Sequence, residues 1–416
     1  MVLAAIVAAC FVAWGLLGGR LARANISGPM AFVAAGVVVG LLPDGIVQVS
    51  VHSESLKLLA EVALAVVLFG DAAGVPLRTL EHDAGVPARL LLIGLPLTMA
   101  AGTLAAHLLL PGLSWWVCGV IGTAVSPTDA ALGAAIVEDR RVPSRVRRIL
   151  NVESGLNDGI ATPFVTMCIV GAVAGTALEI SSDGRALVDL AGGVLLGAAI
   201  GVVAGKLVGL ALRHRLVDRA MLPVGIAAAS LFAYFATVAI GANGFVAAFV
   251  AGLAFGASRP RLAPAADAEA EADEDDLHFA HRSGELLALT VWFLFGALAT
   301  SPLRDVTWRE AVFAVLALTV VRMVPVAISL VGARFDRSTV AIIGWFGPRG
   351  LASVVFGILA FDALPQSDSS RVLTAIGATV LLSVVAHGMS AAPLAARFGA
   401  SHPEPAGAQP QEAGAE

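Results

Sequence analysis

The residues best suited to chemistry are crowded into one stretch, Asn151 to Thr162, which reads NVESGLNDGIAT. It lies in a run too apolar for a soluble loop, yet Glu153, Ser154, Asn157 and Asp158 fall within six positions. A charged side chain at the centre of a bilayer costs about 2.5 to 3.5 kcal/mol on insertion scales, so such groups are rare and mark function. Two carboxylates in one span, with hydroxyl and amide oxygens between them, suit a site where an ion or a proton is exchanged. On a helix Ser154 and Asp158 are four residues apart and share a face. Glu153 and Asn157 share another face, about 100° round. One carboxylate can then line a pathway while the other turns into the bundle to meet a buried partner.

Other polar residues sit where apolar ones are expected. Ser126-Pro127-Thr128-Asp129 interrupts one apolar run. Proline removes a backbone donor and disfavours helix in the residue before it, so the helix should break there and free carbonyl oxygens. Irregular backbone at that depth is tolerated only where it lines a cavity. With Thr128 and Asp129 those carbonyls make an oxygen-rich pocket of the kind a hard monovalent cation needs. Asp129 capping the second half of the broken helix is an equally compatible role. Gly344-Trp345-Phe346-Gly347-Pro348-Arg349-Gly350 should break a second run. Paired interrupted helices are the sequence pointer to a transporter site. Arg349 is then a buried guanidinium that requires a carboxylate, and Glu153 is the natural candidate. Arg322, in the middle of another apolar run, needs a partner as well, either an acid or the open end of a broken helix. Asp71, in Leu68-Phe69-Gly70-Asp71-Ala72, reaches either the same cavity or the inner water.

The elements that position these residues are membrane helices. Of 416 residues, 58% are hydrophobic and 14% charged, against about 25% charged in soluble domains, and mean hydropathy is +0.86. Apolar runs near 20 residues, the length that spans a bilayer, recur along the chain. Thirteen are counted, roughly 2–18, 28–42, 56–74, 88–110, 115–137, 149–174, 187–212, 221–240, 243–257, 284–300, 309–332, 338–360 and 371–395. The expected fold is an all-α polytopic membrane protein. The first run lacks a basic region ahead of it and reads as a retained span rather than a cleaved signal. With the N-terminus outside, the inner loops and tail hold eighteen Lys and Arg, and the outer loops only Lys57, Arg185, Arg304, Arg309 and Arg371. That asymmetry predicts N-out, C-in.

The remaining sequence narrows the function further. Cys10, Cys118 and Cys168 all lie in apolar runs and read as small hydrophobes. No zinc-type spacing, phosphate loop or basic stripe is present, so neither a cofactor nor nucleic acid is expected. Gly193, Gly197, Gly201, Gly205 and Gly209 form a ridge for close helix packing, within one protomer or between two. Residues 1–400 read as one membrane domain. An acidic inner loop is expected at 262–283, centred on the seven acids of 267–276, and a disordered tail at 401–416.

Taken together, Glu153-Ser154-Gly-Leu-Asn157-Asp158, Thr128-Asp129, Gly347-Pro348-Arg349-Gly350 and Leu68-Phe69-x-Asp71-Ala72 resemble the monovalent cation:proton antiporters of the NhaP and eukaryotic Na⁺/H⁺-exchanger branch. The resemblance covers about 95% of the chain, from the first span to the thirteenth. It implies a thirteen-helix homodimer with an inverted-repeat fold, a dimerisation domain, a mobile core and two crossing discontinuous helices, here spans five and twelve. It places the exchanging carboxylate on Asp158 and makes Asn157 the marker of electroneutral exchange. Asp129, Thr128 and Ser154 complete the shell for transported Na⁺, with Asp71 assisting. It also pairs Glu153 with Arg349 and makes Arg322 a structural residue. Ala130 stands where many relatives have proline after the Thr-Asp pair, and Pro127 precedes the pair instead.

The expected activity is electroneutral exchange of Na⁺ or Li⁺ for H⁺ by alternating access, with cation and proton competing for Asp158 and Asp129. A K⁺/H⁺ antiporter on the same scaffold is the nearest alternative. A cation channel lacks a filter sequence, and an intramembrane aspartyl protease using Asp129 and Asp158 lacks the flanking pattern. The Ala-, Gly-, Arg- and Val-rich composition suggests a bacterial plasma membrane.

Overall fold

The computed structural model describes residues 2–42, 53–75, 85–129, 132–137, 139–174, 185–214, 216, 218, 221–259, 267–300 and 302–402. Among them there is no strand, and each of the thirteen apolar runs contains helix. In chain order the helices are α1 (Val2–Arg23), α2 (Gly28–Gly40), α3 (Glu54–Gly74) and α4 (Gly85–Leu109). There follow α5 (Trp115–Ala124), α6 (Ala134–Val137), α7 (Ser144–Ala174), α8 (Arg185–Arg213), α9 (Leu222–Ala239), α10 (Gly244–Ser258) and α11 (Asp267–Ala299). The chain continues through α12 (Trp308–Leu318), α13 (Val320–Ser329), α14 (Arg337–Trp345), α15 (Leu351–Ala363) and α16 (Gln366–Ser401). Among the described residues eight helical segments are long and apolar enough to cross a membrane, with α12 and α13 counted together as one.

Local sequence sets the helix starts. Pro29 and Pro223 stand in the first turns of α2 and α9, where no N–H is needed. Ser114 and Asn243 accept the N–H groups of Val117 and Val246 to cap α5 and α10. Thr307 and Glu310 form a capping box at α12.

The breaks fall where proline requires them. α5 ends at Ala124, ahead of Pro127, and the chain resumes as the short α6. α14 ends at Trp345, and residues 346–350 are unwound before α15. A third interruption was not expected from sequence. Span eleven splits into α12 and α13 at Thr319, whose φ of −110° and ψ of −94° leave the helix. The Thr319 hydroxyl turns back onto the Val315 carbonyl at 2.6 Å, a contact that bends helices, and Pro325 lies one to two turns further on.

Two groups of helices emerge from the packing. α10 lies against α8, α9 and α3, and α11 lies against α2, α3 and α9. α4, α5, α7, α12, α13, α15 and α16 pack on one another in a second group. α3 touches both, reaching α7 and α15. The glycine ridge of α8 is consumed inside the protomer. A Cβ added at Gly193, Gly197 or Gly201 would come within 2.2 to 2.7 Å of backbone carbonyls of α10 or its cap. The acidic run 267–276 is helical, as the start of α11, and so replaces part of the expected loop 262–283. An apolar span preceded by a segment rich in the helix formers Ala and Glu simply continues backwards. Residues 262–266 and the tail beyond 402 lie outside the described residues.

Candidate functional site

The site lies where the two broken helices meet α7. Asp129 N–H donates to the Pro348 carbonyl at 2.9 Å, so the two unwound segments touch backbone to backbone. The Asp129 carboxylate accepts the Leu351 N–H at 3.2 Å, in the first turn of α15. Asp129 therefore caps the second half of the other broken helix. A carboxylate at a helix N-terminus satisfies open donors and complements the helix dipole. Gly350 makes this approach possible, because a Cβ there would stand 2.2 Å from Asp129 Cβ.

α7 supplies the facing wall. Thr128 and Ser154 hydroxyls are in contact at 3.1 Å, and Asn157 Nδ2 donates to Thr128 Oγ1 at 2.6 Å. The Asn157 carbonyl oxygen is buried and has no hydrogen-bond partner. Asp158 is 9% exposed, and its carboxylate accepts no hydrogen bond from any described residue. It senses the charges of both Asp129 and Asp71. Asp71 is half-buried and lies against α7, its Cβ 3.8 Å from the position a Cβ would take at Gly155. The expected residues Asp158, Asp129, Thr128, Ser154, Asn157 and Asp71 are thus all gathered at one junction.

The expected pairing of Glu153 with Arg349 is not formed. Glu153 is bound by Arg322 instead, at 2.7 Å between Arg322 Nη1 and Oε1 and 2.9 Å between Nη2 and Oε2. Arg349, fully buried, donates to the Ser126 carbonyl at 2.6 Å, to the Pro127 carbonyl at 3.4 Å and to the Ala317 carbonyl at 2.8 Å. The two arginines have exchanged the roles that sequence allowed. Arg322 takes the acid, and Arg349 takes the carbonyls opened at two helix breaks. The third break, at Thr319, decides this, because it presents Ala317 O to the Arg349 fork.

Sequence reasoning missed one polar group. Ser383, His387 and Ser390 lie at i, i+4 and i+7 of α16, on one face turned to the α14–α15 break. An ionisable residue in an apolar span was the available signal.

This architecture has solved counterparts. The sodium proton antiporter MjNhaP1 of Methanocaldococcus jannaschii superposes with a TM-score of 0.74 at 19% identity, covering 96% of this chain and 98% of that one. At that identity the likeness concerns the fold. In sequence, the chain is 26% identical over 375 residues to the K(+)/H(+) antiporter NhaP of Alkalimonas amylolytica, covering 88% of this chain and 61% of that protein. A Na(+)/H(+) antiporter of Schizosaccharomyces pombe is 27% identical over 374 residues, covering 82% and 77%. A probable Na(+)/H(+) antiporter of the same yeast is 28% identical over 323 residues, covering 73% and 41%. The chain thus spans about three-fifths and two-fifths of the length of two of these three relatives. The profile described as "Sodium/hydrogen exchanger, transmembrane" matches residues 6–397.

Proposed function

Because the chain belongs to the sodium/hydrogen exchanger family and is a multi-pass membrane protein, we propose that it is a secondary antiporter exchanging Na⁺ or Li⁺ for H⁺. The observation that carries this reading is the Asp158 carboxylate. It is nearly sealed from solvent, takes no hydrogen bond from the described protein, and stands within charge reach of Asp129 and Asp71. A carboxylate so placed is stable only when it holds a proton or a cation. Ionised Asp158 binds the cation together with Asp129, Thr128, Ser154 and the free Asn157 carbonyl, and protonation expels it. Competition for one set of oxygens, in a cavity open to one side at a time, makes the coupling obligatory. One cation against one proton moves no net charge.

The same chemistry fits K⁺, and the similarity to a protein named as a K(+)/H(+) antiporter favours keeping that second reading. The carboxylates set the coupling, while cavity dimensions set the ion. We place the protein in a bacterial plasma membrane, N-out and C-in, as a homodimer whose core group (α4–α7, α12–α16) moves against the other helices. The test is a proteoliposome assay with a pH dye inside, an imposed proton gradient, and NaCl, LiCl, KCl or choline chloride added in turn. Dissipation by Na⁺ and Li⁺ supports the first reading, and by K⁺ alone the second. No response to any cation between pH 5 and 9 overturns both.

A further inference from the structure

His387 is a buried imidazole that the exchange chemistry does not use. It sits on α16 at 1% exposure and faces the unwound segment 346–350. Its Nε2 lies 2.9 Å from the Trp345 carbonyl, the last residue of α14. A carbonyl can only accept, so Nε2 carries the hydrogen. In the neutral ring Nδ1 is then the acceptor, and of the two groups 3.1 Å from it, the Ser383 hydroxyl and the Ser383 carbonyl, only the hydroxyl can donate to it. That hydroxyl in turn accepts the Arg349 N–H at 2.7 Å. One tautomer therefore satisfies a continuous chain, from Arg349 N–H through Ser383 Oγ–H to His387 Nδ1, and from His387 Nε2–H to Trp345 O. Trp345 is held further by its ring against the imidazole, 4.9 Å between centroids, and by its Nε1 on Ser390 at 2.9 Å.

The chain grips both ends of the break. Trp345 closes α14, and Arg349 directly precedes the Gly350 cap of α15. The side chain of Arg349 holds Ser126 O and Pro127 O, the residues immediately before Thr128 and Asp129. Pro348 O holds Asp129 N–H. A shift of the 346–350 segment is thereby passed to two of the oxygens assigned above to the cation.

We propose that His387, together with Ser383, is a positioning pair that fixes the α14–α15 break on α16 and so sets the cation affinity of the Thr128–Asp129 wall. This rests on the antiport reading of that site. The test uses the full chain in proteoliposomes, with NaCl, and KCl as the second cation. His387→Gln keeps an amide donor in reach of Trp345 O and removes the acceptor for Ser383. Ser383→Ala removes the hydroxyl alone. Each variant is expected to raise the apparent cation KM about fivefold at fixed pH, the scale of one displaced hydrogen bond. Vmax and the melting temperature should stay close to wild type. The double variant should raise KM no further than the stronger single one, because both cut the same chain. Unchanged KM in both folded variants overturns the proposal, as does a fully multiplicative double variant. A lowered melting temperature with wild-type KM also overturns it, since that marks a purely structural role. Failure of wild-type protein to exchange either cation would instead sink the antiport reading.

Discussion

Arg322 closes on Glu153 inside the bundle, Nη1 within 2.7 Å of Oε1 and Nη2 donating to Oε2 at 2.9 Å, with both side chains cut off from solvent. The Nη1 contact is an ion-pair contact rather than an aligned hydrogen bond. Removing one partner of a buried pair leaves an uncompensated charge, at about 3 to 5 kcal/mol. Glu153→Ala and Arg322→Ala should each lower protein yield and melting temperature markedly. Glu153→Leu combined with Arg322→Met should be more stable than the Arg322→Ala single variant. Fluorescence-detected melting in detergent reads this, and equal stability of all variants would show that the pair contributes nothing.

Asp158 makes the opposite case. Its carboxylate supports no other described group, so Asp158→Asn should leave yield and melting temperature near wild type. Exchange should fall to the level of empty liposomes. A variant that still exchanges at the wild-type rate would refute the assignment of this carboxylate.

Competition gives a pH signature. A proton and a cation sharing one set of carboxylates oppose each other, so the apparent cation KM should rise as pH falls and decline as pH rises. By linkage the slope approaches about tenfold per pH unit where proton occupancy dominates, with Vmax at saturating cation little changed. A KM independent of pH between 5 and 9 would mean that proton and cation occupy separate groups.

Lys57 of α3 forms an ion pair with Asp362, the penultimate residue of α15. The pair joins the helices of one group to the half-helix that Asp129 caps in the other. If alternating access moves α15 past α3, tethering the two positions must stop it. Lys57→Cys with Asp362→Cys, in a protein whose Cys10, Cys118 and Cys168 are replaced by alanine, should lose exchange on treatment with a short thiosulfonate cross-linker. Reductant should restore it. Full-rate exchange by the cross-linked protein would exclude this movement.

Gly350 offers a steric test of the same junction. A methyl group there would overlap Asp129, 2.2 Å from its Cβ. Gly350→Ala should therefore displace the carboxylate from the α15 N-terminus and raise the apparent cation KM by about tenfold or more. Wild-type KM in a folded Gly350→Ala protein would separate Asp129 from cation binding.

Much of this was legible in the chain itself. Apolar length fixes membrane helices, because backbone groups in hydrocarbon must be bonded within their own segment. Pro127 and Pro348 fix two of the breaks, because proline lacks the N–H and crowds the preceding residue. Asp158 announced itself by residue type, as an ionisable group in an apolar run. These are properties of single residues and their nearest neighbours in sequence.

Which partner each charge chose was decided only in three dimensions. Arg322 and Arg349 read alike as buried guanidiniums, and Glu153 lies 169 positions from the one it binds. The choice turned on the bend at Thr319, which exposes Ala317 O to Arg349 and leaves the acid to Arg322. Asp129 caps a helix 222 positions away for the same kind of reason. The glycine ridge of α8 met α10, a partner its spacing could not name. His387 found Trp345 and Ser383 only once α16 lay against the break. Periodicity and residue type determine elements and where they fail. Pairing between elements depends on packing that brings distant segments within hydrogen-bond reach.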